Sequence, residues 1–183
     1  MKVISIQISN LSIFLDYQIA VTLILAFAAW KWGDWRNWGL YYPTMLFFIV
    51  GNFSYTLLTY NHPLWEFESP LLKTTGSDFL IAMVDFPATV LIFLPHYPKE
   101  KIRQILYILL WVLTYTLIEI VSYKLGFFSY HNGWSIWWSV LFNMILFPLL
   151  WLHHKKPPLA WLSSIVLALL FFTHFKLPFS SMK

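Results

Sequence analysis

This sequence contains no cysteine and few charged residues, and each shortage narrows the classes of protein that it encodes. The absence of cysteine among its 183 residues excludes disulfides, thiolate metal sites and a cysteine nucleophile. Charged residues make up 11% of the chain and hydrophobic residues 59%, with a mean hydropathy of +0.64. Soluble domains have about 25% charged residues. The composition therefore indicates an integral membrane protein.

Local catalytic signatures are missing as well. The chain has no phosphate-binding P-loop, no Gly-x-Ser-x-Gly elbow and no aspartate-rich pair that would hold magnesium against a diphosphate. These absences argue against ATP-driven transport and prenyl transfer, and we expect no cofactor. No basic run resembles a nucleic-acid patch, so the net charge of +4 indicates loop topology and contacts with anionic membrane lipid rather than nucleic acid.

What the chain does contain is six apolar stretches separated by short loops. A helix of about 20 residues crosses a hydrocarbon core of about 30 Å. The predicted spans are Leu11 to Trp30, Tyr42 to Tyr60, Phe79 to Leu94, Ile102 to Tyr123, Trp134 to Leu152 and Leu159 to Phe175. Asp16 argues against reading the first stretch as a cleaved signal peptide. We therefore expect an all-α, polytopic membrane helix bundle that forms a single transmembrane domain over residues 1–183.

The distribution of basic residues predicts the orientation of this bundle. The odd loops carry more Lys and Arg than the other face: Lys31, Arg36, Lys99, Lys101, Arg103, Lys155 and Lys156. The other face carries Lys2, Lys73, Lys124, Lys176 and Lys183. Because positive residues collect on the cytoplasmic side, the odd loops are predicted to be cytoplasmic.

Two carboxylates, Asp85 and Glu119, lie inside strongly apolar stretches and are the predicted catalytic or ion-relaying residues. Ionisable groups within spans usually face the bundle interior and mark a ligand site, a proton relay or an ion path. Helix alternation places further polar residues roughly 6 to 14 Å inside the same face, or above it. The predicted ligand-binding residues are Asp16, Asn52, His62, Tyr115, His131, Trp134 and Asn143. We expect them to form an acidic, aromatic cavity that opens to one leaflet.

Structural readings of these residues stay open. Asn52 and Asn143 are of the type that joins helices by hydrogen bonds, and Asp16 lies close enough to a span end to reach headgroups. His62 and His131 could hold zinc or iron with a nearby carboxylate, but no pair has the i, i+4 spacing of a metalloprotease helix. No metal site is predicted.

A short internal similarity indicates a parallel two-helix repeat. Residues Ser54 to Leu58 match Thr114 to Ile118, and Phe86-Pro87 matches Phe147-Pro148 at nearly the same offset. The second and third spans would then be a copy of the fourth and fifth, and binding sites often form between such repeats. Chance matching in apolar sequence is an alternative explanation.

Five segments carry a resemblance to a known family. They are Trp30-Lys31-Trp32-Gly33-Asp34-Trp35-Arg36, Asn61-His62-Pro63-Leu64-Trp65-Glu66, Asp85-Phe86-Pro87-Ala88-Thr89, Tyr130-His131-Asn132-Gly133-Trp134 and His153-His154-Lys155-Lys156-Pro157. With these, the chain resembles an uncharacterised family of small multispanning membrane proteins from spore-forming Firmicutes. The resemblance implies a location in the bacterial cytoplasmic membrane and assigns no catalytic residue.

Three functions follow as hypotheses. The first is binding or transformation of an apolar small molecule, isoprenoid or lipid-like, with Asp85 or Glu119 as a protonating acid and aromatic rings that stabilise positive charge. Integral-membrane terpene cyclases use a similar logic, although no motif matches. The second is a proton- or cation-coupled transporter or small channel, in which Asp16, Asp85 and Glu119 relay the ion and homo-oligomerisation completes the path. The third is a membrane scaffold or accessory subunit.

Overall fold

The computed structural model describes residues 16–178, 180 and 182–183. Within these residues the protein forms six helices, and helix makes up 75% of the structure. A short two-stranded sheet joins two of the loops. The elements are α1 (Tyr17–Trp32), α2 (Trp38–Leu58), β1 (Trp65–Phe67), α3 (Lys73–Phe93), α4 (Lys101–Lys124), β2 (Phe128–Tyr130), α5 (Ile136–Lys155) and α6 (Pro157–His174).

Each helix overlaps one predicted span, so the helical prediction is confirmed. The helices α3, α4, α5 and α6 are long and apolar enough to cross a membrane, which is compatible with a membrane protein. The helix α1 has 16 described residues and is shorter. Residues 11–15 of the predicted first span lie outside the described residues. Since α2 also falls outside the group of four, the count of six spans remains a prediction.

The helix α3 contains a wide turn in its middle. Residues Ile81–Asp85 form a π-helical turn, in which the Phe86 amide donates to the Ile81 carbonyl five residues earlier. Pro87 follows directly and has no amide hydrogen to donate, so the regular ladder is interrupted here. Such π turns often lie at functional sites. The turn ends at Asp85, one of the two predicted catalytic residues.

The two-stranded sheet was not predicted from the sequence. Its strands pair antiparallel, with Trp65 opposite Tyr130 and Phe67 opposite Phe128. Each strand has three residues, which is too short for the alternating pattern that identifies a strand in a sequence. Because β1 precedes α3 and β2 follows α4, the sheet links those helices at one end of the bundle.

The core of the bundle is largely aromatic. Phe93 and Phe147 are fully buried, and Phe48 of α2 stacks on Phe86 of α3 with ring centroids 3.7 Å apart. By contrast, α4 and α6 expose many large apolar side chains, which in a membrane protein face lipid. They include Leu106, Leu110, Leu113, Leu117, Leu162, Ile165, Leu169 and Leu170.

The predicted two-helix repeat is not confirmed by the structure. Pro87 follows a π turn in α3, whereas its counterpart Pro148 lies inside the continuous α-helix α5. Tyr55 lies near the end of α2 and bonds to the loop backbone at Trp65, while Tyr115 lies within α4. The matched residues therefore occupy different surroundings.

Candidate functional site: an acidic cavity beside the two-stranded sheet

A cavity of about 100 Å³ lies where α1, α3 and α4 meet the sheet. Asp85 of α3 and Glu119 of α4 both line this cavity, and Tyr115 lies one turn before Glu119. The structure thus brings together both predicted catalytic residues and one predicted ligand-binding residue. Most of the wall is apolar: Val21, Leu25, Phe67, Ile81, Phe86, Ile118 and Phe128.

Asp85 is almost completely buried, with 4% of its surface exposed. One carboxyl oxygen, Oδ2, accepts a hydrogen bond of 3.1 Å from Nε2 of Gln18 in α1. The other oxygen, Oδ1, is buried and has no hydrogen-bond partner among the described residues. The Thr22 hydroxyl, one turn after Gln18, interacts with the carboxyl but likewise makes no hydrogen bond of regular geometry. Asp85 is therefore half-satisfied in a site where an unmet polar atom is costly.

Glu119 faces the cavity from the opposite side and is tied to the sheet. The Tyr130 hydroxyl at the end of β2 donates a hydrogen bond of 2.6 Å to Oε1 of Glu119. Burial raises the pKa of Tyr130, and the hydrogen bond to Glu119 adds to that rise. Tyr130 therefore keeps its proton at neutral pH and acts as a donor. The sheet fixes the position of the Glu119 carboxyl.

Tyr115 is held by a neighbour rather than free to bind. Its hydroxyl lies 2.6 Å from Oγ1 of Thr89, a fully buried residue one turn after Asp85 in α3. This bond connects α3 and α4 behind the cavity. The ring of Tyr115 also packs edge-on against Phe147, with centroids 5.2 Å apart. Tyr115 thus presents an anchored aromatic wall.

Asp16 has a structural environment. It is the N-cap of α1, where Oδ1 accepts the Gln18 amide hydrogen at 3.0 Å. Its Oδ2 accepts a bond of 2.5 Å from the Ser69 hydroxyl, and Ser69 Oγ in turn accepts the amide hydrogens of Leu71 and Leu72. Asp16 does not line the cavity, and its contacts fasten α1 to the loop before α3.

The remaining predicted ligand-binding residues lie outside the cavity wall. Trp134 is buried, donates to Ser139 Oγ at 2.9 Å and packs on Trp65. Asn143 is buried within α5. Asn52 has a buried amide nitrogen without a partner among the described residues. His62 donates its backbone amide hydrogen to Thr59. These residues contribute to the same end of the bundle without reaching the cavity.

His131 belongs to a polar cluster on the outer side of the sheet. Its Nε2 lies 2.8 Å from Ser129 Oγ and 3.2 Å from Glu66 Oε2. The cluster is part-exposed, and neither Asp85 nor Glu119 joins it. Over the part of the chain that the structure describes, no group of three or more His, Asp or Glu side chains is placed to hold a metal ion.

Three polar residues of the site were missed in the sequence: Gln18 and Ser122, which line the cavity, and Thr22, which lies beside Asp85. Gln18 and Thr22 are four residues apart and therefore lie on one face of α1, where they meet Asp85. Their spacing inside an apolar stretch was the available signal. Phe67 and Phe128 gave no signal, because their place at the cavity depends on the pairing of two short strands.

The chain matches no protein-family model, no curated protein and no solved structure. The resemblance to a Firmicutes membrane family therefore remains a prediction.

Proposed function

We propose that this protein is a multi-pass protein of the bacterial cytoplasmic membrane, with its odd loops cytoplasmic, that binds an apolar, isoprenoid or lipid-like molecule. The observation that carries the proposal is the convergence of Asp85 and Glu119 on one small, mostly apolar cavity. Ligand sites are typically apolar and carry a few convergent polar groups. Carboxyl groups at membrane depth are expensive and therefore rarely incidental.

The size of the cavity limits what enters it. Pockets for drug-sized ligands measure about 300 to 1,000 Å³, so about 100 Å³ accommodates only one end of a larger molecule. The rest of the ligand would lie between α1 and α4. Both helices turn apolar residues to the cavity, and they pack mainly on α3 and α5 respectively rather than on each other. In this proposal the polar end is inside and the apolar tail remains with the lipid.

The test is mass spectrometry of an organic extract from protein purified in mild detergent. The conservative variants Asp85→Asn and Glu119→Gln are compared with wild type and with Glu100→Gln. Glu100 is the matched control because it is well exposed and forms an ion pair with the equally exposed Arg103, away from the cavity. We expect a discrete lipid or isoprenoid with wild type and Glu100→Gln, and its loss from both cavity variants. Unselective phospholipid in all four samples would refute the proposal.

The same extract separates binding from transformation. If a carboxylic acid protonates the bound molecule, wild type will yield a second, related species on incubation with the extracted ligand. The variants without that acid will yield the ligand alone. A single unchanged species in every sample supports binding without reaction.

A proton- or cation-coupled transporter is the second candidate, favoured by one observation. The hydrogen bond of 2.6 Å between Glu119 and Tyr130 leads from the cavity to the end of β2, next in the chain to His131, which pairs with Glu66 on the outer side of the sheet. Reconstituted vesicles with an internal pH dye would report proton flux, and potassium or sodium gradients would report cation coupling. Flux that disappears in Glu119→Gln and persists in Glu100→Gln would favour this candidate. If neither ligand nor flux depends on the two carboxyls, the scaffold function gains support.

A further inference from the structure

The charged groups around the cavity are all of one kind. Asp85 and Glu119 line it, and no Lys, Arg or His does so among the residues that the structure describes. A phosphate, diphosphate or carboxylate placed here would meet two carboxyl groups without a compensating cation. The cost of a buried unpaired charge is high. The cavity therefore disfavours ligands with an anionic end.

The hydrogen-bonding groups of the site are also unbalanced. The Gln18 amide donates to one Asp85 oxygen, and the Tyr130 hydroxyl donates to one Glu119 oxygen. The Tyr115 hydroxyl is engaged with Thr89. Beside the equally unpartnered Thr22 hydroxyl, the acceptor Oδ1 of Asp85 makes no hydrogen bond of regular geometry, in a residue with only 4% exposure. A ligand that brings an N–H donor would satisfy it.

Aromatic rings form much of the remaining wall. Phe67 and Phe128 are opposite each other on the two strands, with ring centroids 5.1 Å apart, and both line the cavity. Phe86 and Tyr115 also line it. Cations bind favourably over aromatic faces, and the gain grows when the site excludes water. The carboxyl groups, the unmatched acceptor and the aromatic rings therefore all favour a positively charged ligand group that carries N–H donors.

We propose that the end of the ligand held in the cavity is a primary ammonium group, with Asp85 as its main partner and Glu119 as the second carboxyl. The proposal rests on the proposed binding function and names the ligand class of that same site. The ammonium nitrogen donates to the Asp85 carboxyl, and the rings of Phe67 and Phe128 contact the cation. The tail of the molecule is uncharged.

Three probes with one tail separate this proposal from its alternatives. Radiolabelled farnesylamine is bound to the purified full chain in detergent at neutral pH, and farnesol and farnesoate are used as competitors. We expect saturable binding of the amine at least about tenfold tighter than the alcohol, with the carboxylate weakest. Asp85→Asn should lower amine affinity by about tenfold or more and leave alcohol affinity nearly unchanged. Glu100→Gln, with normal elution on gel filtration, is the control.

The outcomes distinguish a wrong assignment of the ligand head group from the absence of a binding site. Saturable binding of all three probes without preference, or a preference for farnesoate, overturns the ammonium assignment while the binding function stands. Amine selectivity that survives both Asp85→Asn and Glu119→Gln also overturns it. If no probe binds saturably to wild type, the proposed function fails together with the inference. Displacement of the amine by sodium or potassium alone, at equal concentration, replaces the ligand with an inorganic cation and favours transport.

Discussion

Two buried aspartates, on neighbouring parts of the bundle, show how differently the same side chain is used. Asp16 and Asp85 have 2% and 4% of their surfaces exposed. Asp16 has a bond on each carboxyl oxygen, from the Gln18 amide and the Ser69 hydroxyl. Asp85 has a bond on one oxygen only. Burial alone therefore does not separate a capping carboxylate from a cavity carboxylate, whereas the hydrogen bonds on the two oxygens do.

Gln18 stands between the two regions. Its backbone amide completes the cap at Asp16, and its side-chain amide reaches Asp85. The capping region thereby orients the residue that the cavity uses. The capping contacts of α1 and the proposed binding site are therefore adjacent in this fold.

The largest expected effect comes from the same substitution at both aspartates. In Asp16→Asn the amide nitrogen replaces the acceptor of the Ser69 hydroxyl, and a buried donor without a partner costs about 1 to 3 kcal/mol. In Asp85→Asn the amide oxygen still accepts from Gln18, and the new N–H group faces the unpartnered Thr22 hydroxyl. We expect the free energy of unfolding to fall by about 2 kcal/mol in the first variant and by less than about 0.5 kcal/mol in the second.

Thermal unfolding in detergent, followed by circular dichroism, measures both. Glu68→Gln, an exposed change near Ser69, should match wild type. Equal loss of stability at Asp16 and Asp85 would contradict the distinction drawn between them.

A smaller effect is expected at Tyr130, which ties the cavity to the sheet. Tyr130→Phe removes the donor of the 2.6 Å bond to Glu119, and we expect a loss of about 1 kcal/mol in the free energy of unfolding. Tyr123→Phe is the matched control, because Tyr123 is exposed and stacks on Tyr130. The same thermal measurement applies. If the two variants are equally stable, the Glu119 carboxyl is not held by the sheet.

The smallest effect concerns pH and lies outside the site, in the loop between α1 and α2. The Asn37 side chain donates to both oxygens of Asp34, which lowers the pKa of Asp34 below its usual 3.8; a bond from Tyr41 acts in the same direction. A lowered pKa stabilises the folded state above the unfolded pKa, and this contribution is lost as the pH falls through the folded value.

Melting temperatures of wild type and Asp34→Asn between pH 7 and pH 3 check this. Wild type should melt slightly higher at neutral pH, and the difference should shrink below about pH 4. A difference that grows on acidification would show that the Asn37 contact does not hold the charged form.

The sequence predicts the helices well because long apolar runs leave few other structures in a membrane. It also predicts the meeting of Asp85 and Glu119, because helix alternation places both at a similar depth. Depth does not determine the direction in which a side chain points around its helix. Asn52 and Asn143 lie at a comparable predicted depth, yet neither lines the cavity.

The sequence does not predict the contacts between loops that are far apart in the chain. The pairing of Phe67 with Phe128 joins residues far apart in the chain, and neither segment has a pattern of its own. The sequence predicts Asp16 as a ligand-binding residue because its charge lies within an apolar stretch. Its second bond comes from Ser69, which lies in the loop before α3 and has no local relation to it in the sequence.

The two-stranded sheet has a mechanical consequence for α3 and α4. The segment before α3 and the segment after α4 are hydrogen-bonded to each other, so these two helix ends are held at a fixed separation. Any motion that widens the space between the helices must pivot at the sheet, and the displacement will increase with distance from it. In such a motion the lining residues at the pivot, Phe67 and Phe128, would keep their places, while Thr89 and Tyr115, whose hydrogen bond joins α3 and α4 farther from the sheet, would separate.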